Sequence, residues 1–173
     1  MKIFELLQEQ KETKGTYAAV SFNDTTVDAL QKYIKDNDIP NGTPAGKMHC
    51  TLLYSRKHCP NYKPAGKISP SWTGKPVGLE VWESQSKSRC LVLKFDCDEL
   101  HKRHKLLMKE HDATYDFPEY KTHVTLSYDI GEMDEKELPD ITKAIDELTI
   151  VDEYGEDLDL DWAKNNTGKG DDE

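Results

Sequence analysis

The 173-residue chain carries 33 Asp and Glu against 23 Lys and Arg, a formal net charge of -10, with 36% hydrophobic and 32% charged residues. That length suits a single domain with a substantial core. So acidic a surface repels the backbone of long DNA or RNA, yet leaves room for a small anionic ligand held by a few donors in a cleft.

Taken from the N-terminus, Met1 to Lys11 reads as an amphipathic helix without the apolar core of a signal peptide. No stretch approaches the roughly 18 apolar residues that a membrane span takes. The strand-like YAAVSF run, Tyr17 to Phe22, leads into a helical stretch around Val27 to Lys35 and then a second strand, Met48 to Ser55. The density of Pro, Gly, Ser and Lys from Lys57 to Pro76 predicts a long loop, followed by an alternating strand from Val77 to Trp82. A further strand, Cys90 to Phe95, precedes a helix from Asp98 to His111 and a strand from Thr122 to Asp129. Leu148 to Glu153 adds a last strand, and Ala163 to Glu173 has the polar composition of a disordered tail, leaving residues 1–162 as one domain.

Two of these stretches repeat each other at an offset of 74 residues, each as strand–helix–strand, with Asp24 and Asp98 as expected N-caps of the two helices. The expected class is α+β, with two antiparallel-type sheets facing each other across a cleft and helices outside. Cys50, Cys59, Cys90 and Cys97 form no Cys-x-x-Cys pair, so neither a zinc site nor a disulfide framework is expected. Reduced thiols and a cytoplasmic location follow.

Matching places in the two copies hold His49-Cys50-Thr51 and His123-Val124-Thr125, within the longer string His-x-Thr-Leu-x-Tyr. Alternation along a strand puts His49 and Thr51 on one face and Cys50, Leu52 and Tyr54 on the other. The second copy places His123, Thr125 and Ser127 opposite Val124, Leu126 and Tyr128. If the two strands face each other, two imidazoles and two hydroxyls converge. One neutral imidazole can take a proton from a ribose 2′-hydroxyl as it attacks phosphorus, and one protonated imidazole can give a proton to the departing 5′ oxygen. The threonine hydroxyls can donate to the non-bridging phosphate oxygens. No metal or other cofactor is required. The competing account is a pair of core histidines in a duplicated scaffold.

At these strings the chain resembles the two-histidine (2H) phosphoesterase superfamily, and more closely the phage-encoded anti-CBASS phosphodiesterases. The resemblance spans Tyr17 to Asp129, with further likeness at Gly15-Thr16-Tyr17-Ala18, Leu52-Leu53-Tyr54-Ser55 and Asp152-Glu153-Tyr154 before Leu158-Asp159-Leu160. It implies a bilobal pseudo-symmetric fold and cleavage of 3′–5′ bonds in cyclic di- and trinucleotide messengers in the host cytoplasm, blocking a bacterial antiphage signal. It also implies catalysis by His49, Thr51, His123 and Thr125, with substrate contacts from Tyr17, Trp82 and Glu153.

Each of those three contacts has a plainer alternative: core packing for Tyr17 and Trp82, a solvated carboxylate for Glu153. Trp72 rivals Trp82 for base stacking. Lys47, Arg56 and Lys121 flank the motif strands and are the expected source of local positive potential. His101, His104 and His111 share a predicted helix without a carboxylate or Cys at ligand spacing and are not read as a metal site. The expected partner is a cyclic oligonucleotide bound by a monomer, with no long nucleic acid and no membrane. Two other functions compete: a 2′,3′-cyclic phosphodiesterase or linear RNA-end processing enzyme, and a binding module that sequesters a nucleotide without turnover.

Overall fold

The structure, a computed structural model, describes residues 14–115, 117 and 119–159. The helix expected at Met1 to Lys11 and the tail from Ala163 lie outside those residues. Among the described residues there are six strands: β1 (Lys14–Phe22), β2 (Cys50–Ser55), β3 (Gly66–Glu83), β4 (Arg89–Asp96), β5 (His123–Ser127) and β6 (Leu148–Asp159). The α-helices are α1 (Asp24–Asp36), α2 (Asp98–His111) and the short α3 (Ile141–Ala144). The fold is α+β.

Every strand pairing is antiparallel, in the order β2-β1-β6-β3-β4-β5. The two sheets expected from the repeat are continuous, because the 18-residue β3 serves both halves. Its first part pairs with β6 through Gly74 opposite Leu148, and its second part pairs with β4 from Lys75 opposite Asp96. The loop expected between Lys57 and Pro76 is therefore shorter, ending where β3 begins at Gly66. Composition misleads here because Pro70 falls in a gap of the ladder between Lys67 and Trp72, and Pro76 adjoins a second register shift. A proline costs no ladder hydrogen bond where the ladder is interrupted.

The repeat occupies corresponding places in the sheet. β1, α1 and β2 form one copy, and β4, α2 and β5 form the other. In each, the motif strand lies at an end of the strand order and its partner strand is next to it. β2 and β5 are in contact despite lying at opposite ends of that order, so the sheet curls until its two edges meet.

The helix starts differ from expectation by one residue. Asn23, not Asp24, caps α1, its side-chain oxygen accepting from the Thr26 amide at 2.9 Å. Asp24 and Asp98 are instead the first residues of their helices, where a negative charge favours the dipole without capping it. Each helix buries one stripe, Thr26, Leu30, Tyr33 and Ile34 on α1 and Leu100 and Leu107 on α2. The core gathers these with Leu91, Leu93 and Phe95 from one face of β4 and with Leu148 and Ile150 from β6.

The crossover in β3 depends on a missing side chain. A Cβ at Gly74 would lie 2.6 Å from the ring of Phe95, which is itself fully buried and cannot swing away. Gly74→Ala should therefore cost about 1–3 kcal/mol through overpacking. Equilibrium urea unfolding should show a lower midpoint at unchanged slope.

Candidate active site

Register places the motif residues. Thr51 lies opposite Ala19 on β1, which lies opposite Tyr154 on β6. Thr125 lies opposite Val92 on β4, which lies opposite Glu80 on β3. Directly paired residues share a sheet face, so each threonine heads a row across its half of the sheet.

Immediately after each threonine the ladder skips one residue. Ala18 pairs with Leu53 and Ala19 with Thr51, passing over Leu52. Leu91 pairs with Ser127 and Val92 with Thr125, passing over Leu126. Leu52 and Leu126 are equivalent positions of the repeat, so both motif strands carry the same bulge. A bulge bends the strand and re-aims the side chains that follow it.

This corrects two expectations. Tyr54 lies opposite Tyr17, with ring centroids 6.2 Å apart, and so shares the Thr51 face. Tyr128, expected in the core, is 37% exposed. Strict alternation fails at both positions because the bulge shifts the phase by one residue.

The two histidines are held alike. His49 Nδ1 and His123 Nδ1 each lie 2.9 Å from the carbonyl oxygen two residues earlier, Lys47 and Lys121 respectively. An Nδ1–H donating to a carbonyl leaves Nε2 as the lone-pair nitrogen of the neutral ring. His123, Thr51 and Thr125 are buried, and His49 is partly exposed. Burial, followed by the repulsion expected from a charge on His49 or Lys121, takes the His123 pKa down to about 4. The two imidazoles are thus close enough to sense each other's charge, and His123 is neutral at neutral pH.

An aromatic side chain stands beside each histidine. The Tyr17 hydroxyl lies 3.0 Å from Thr51 Oγ1, and its ring meets the edge of His49 at 6.4 Å. Trp82 lies 4.4 Å from the His123 ring, with Lys121 Nζ 5.8 Å from the indole centroid. Trp82 Nε1 donates to Glu80 Oε1 at 2.8 Å, and Lys94 Nζ lies 3.1 Å from Glu80 Oε2. The Trp82 hydrogen bond, then Lys94 and Lys121, hold the Glu80 carboxyl below the usual range. Trp72 takes no such place: it pairs with Ile150 and packs against the core.

The structure therefore brings His49, Thr51 and Tyr17 together at one end of the curled sheet and His123, Thr125 and Trp82 at the other, with β2 against β5. Glu153 is not among them. It lies opposite Val20, which pairs with Cys50, on the sheet face away from Thr51, and it is 1% exposed. Arg103 Nε and Nη2 donate to its two oxygens at 2.9 and 3.0 Å, and the Tyr62 hydroxyl and Ala65 amide donate at 2.7 and 3.1 Å. Those four donors join α2 and the loop before β3 to β6. Tyr54, Glu80 and Tyr154 share the site face without having been singled out in the sequence. For Glu80, an alternating strand two residues from Trp82 was the available signal; for Tyr154, pairing across β1 left none.

The family model described as Anti-CBASS protein Acb1 matches residues 14–165. Proteins named Anti-CBASS protein Acb1 are similar to the chain: that of Acinetobacter phage Ac42 is 42% identical over 86% of this chain and 94% of its own length. The one from Enterobacteria phage T4 is 36% identical over 86% and 91%, and that of Salmonella phage S16 is 31% identical over 92% and 99%. The chain belongs to the anti-CBASS protein Acb1 family.

Proposed function

We propose that this protein is a metal-independent phosphodiesterase of the 2H type, with the pseudo-symmetric bilobal organisation of that superfamily. It cuts 3′–5′ bonds of cyclic di- and trinucleotides and thereby blocks CBASS signalling in the cytoplasm of an infected host. The observation that carries the reading is the matched pair of imidazoles, each pinned through Nδ1 to the carbonyl two residues back and each two residues before a buried threonine. A core-histidine scaffold has no need to orient both rings in the same way. The name shared by the relatives supports the biological role, and the acidic surface favours a small ligand over long RNA.

The low pKa of His123 divides the roles. Neutral His123 accepts the 2′-hydroxyl proton at Nε2 as the 2′ oxygen bonds to phosphorus. Protonated His49 gives its Nε2 proton to the 5′ oxygen as the phosphorus–5′ oxygen bond breaks. The products are a 2′,3′-cyclic phosphate and a 5′-hydroxyl. Thr51 and Thr125 donate to the non-bridging oxygens and hold the phosphorus in line. Tyr17 and Trp82 flank the phosphate site and stack on the neighbouring bases, each contact being worth ~1–3 kcal/mol.

His49→Ala and His123→Ala should each lower kcat at least ~10²-fold, with the double variant little worse than either single. Multiplicative losses would instead favour two independent structural histidines.

The pH profile tests the assignment of roles. A base with a depressed pKa stays competent until the pH falls through its folded value, so the acidic limb of kcat/KM should have its midpoint near pH 4. A midpoint at the ordinary histidine value of ~6.5 would place the base elsewhere.

Substrate chemistry tests the nucleophile. The 2′ oxygen already lies beside the phosphorus, so its attack gains a large effective molarity. A cyclic dinucleotide of 2′-deoxyribose should bind without being cut. On the ribose substrate, mass spectrometry should find the 2′,3′-cyclic phosphate before any 3′-phosphate. Rapid deoxy cleavage to a 5′-phosphate would mean direct hydrolysis.

A further inference from the structure

Each motif strand ends the hydrogen-bonded order of the sheet, which leaves a row of backbone groups without a strand partner. Buried carbonyls in such a row need another donor. At the threonine and the bulged leucine of each motif, the donor comes from the segment associated with the other motif.

In the first motif, the Thr51 carbonyl accepts the Tyr120 hydroxyl at 2.7 Å, and the Leu52 carbonyl accepts His104 Nδ1 at 2.7 Å. Tyr120 lies three residues before His123, and His104 is on α2 of the second repeat copy. Their rings stack at 4.1 Å with planes 6° apart. In the second motif, the Thr125 carbonyl accepts the Thr43 hydroxyl at 2.8 Å, and the Leu126 carbonyl accepts the Thr43 amide at 2.8 Å. Thr43 lies in the connection that leads into His49. The adjoining Gly42 bridges to Ser127, and Gln31 Nε2 holds the Thr43 carbonyl at 2.7 Å.

We infer that Thr43 and Tyr120, with His104 behind Tyr120, are positioning residues forming a reciprocal latch that sets the distance between the two His-x-Thr motifs. This rests on the catalytic reading proposed above. The segment leading into each histidine grips the other motif at its threonine and its bulge. Neither threonine can shift without moving the strand that carries the opposite histidine.

The physical reason lies in the bulges. Skipping Leu52 and Leu126 weakens the ladder at the two places where in-line geometry must be held within a fraction of an ångström. Within the sheet, the motifs are separated by four intervening strands, so hydrogen bonding along it fixes their relative position only through accumulated twist. The latch makes the connection direct. Tyr120 is partly buried against the core, and burial raises its hydroxyl pKa well above the ordinary value, keeping it a donor. Burial likewise lowers the pKa of His104 and favours the neutral ring.

The test uses the full chain with Tyr120→Phe, Thr43→Val and Thr43→Ser, changes at hydroxyls that donate to the Thr51 and Thr125 carbonyls. Wild type and His49→Ala are run beside them on a panel of cyclic dinucleotides and trinucleotides with 3′–5′ linkages. At a temperature well below every Tm, Tyr120→Phe and Thr43→Val should each lower kcat about ten- to a hundred-fold at nearly unchanged KM, as expected when reacting groups are misplaced by part of an ångström. Thr43→Ser restores the hydroxyl and should restore kcat. A lower Tm with wild-type kcat in both variants would make the contacts merely structural and overturn the latch, while leaving the catalytic reading intact. A wild-type protein that cuts no member of the panel, or a fully active His49→Ala, would overturn the catalytic reading and the latch with it.

Discussion

Backbone hydrogen bonding along β3 is divided between two neighbours, and the rest of the molecule follows from that division. Its first part completes the β2-β1-β6 half of the sheet and its second part completes the β4-β5 half. Two copies of a strand–helix–strand unit thereby become one curled sheet. Gly74 stands where the strand passes from one neighbour to the other, against Phe95, which leaves no space for a side chain. Because the curl brings the edges of the sheet into contact, the two His-x-Thr strands, 74 residues apart in sequence, lie against each other.

The two edge strands of the sheet carry the motifs. Interior strands β1 and β4 supply small or apolar residues opposite the motif threonines, Ala19 and Val92, both fully enclosed. The edge strands carry the His-x-Thr side chains and one matching bulge each, at Leu52 and Leu126, which bends the strand where it leaves the threonine. Two elements of the same design thus acquire different chemistry. His49 is partly open, whereas His123 sits beneath Trp82 and near Lys121, where burial and nearby positive charge keep it neutral. Similar backbone settings give the two rings different surroundings because the ionisation of a ring is set by its neighbours, not by its own strand alone.

Charge is distributed with the same economy. The chain as a whole is strongly acidic, yet Lys121 and Lys94 lie on the site side of the second half. Glu153 answers a different need. Its enclosed carboxylate is matched by the Arg103 guanidinium and two further donors, and the set ties α2 and the loop before β3 to β6. A buried pair of this kind confers less stability than its geometry suggests, because both charges surrender hydration. Removing one partner is nevertheless costly, since it strands the other.

The sequence by itself determined the repeat, both helices of that repeat, the places of five strands and the second part of β3, and the matching of the His-x-Thr strings. Periodicity and a shared spacing are local properties that survive without knowledge of contacts. It also placed Tyr17 and Trp82 as candidates to flank the site, where each is found beside a histidine. Tertiary structure alone decided the remainder. Whether Pro70 breaks a strand depended on the register of β6, and whether Tyr54 faces the core or the site depended on a bulge that only pairing with β1 creates. Glu153 was expected to contact substrate, with a solvated carboxylate as the plainer alternative, but the strand that carries it turns its side chain toward α2 and away from Thr51. The protonation of His123 and the grip of Tyr120 and Thr43 on the opposite motifs arise from groups distant in the chain. Hydrogen-bond partners and desolvation are properties of the folded neighbourhood, and no pattern within a single strand encodes them.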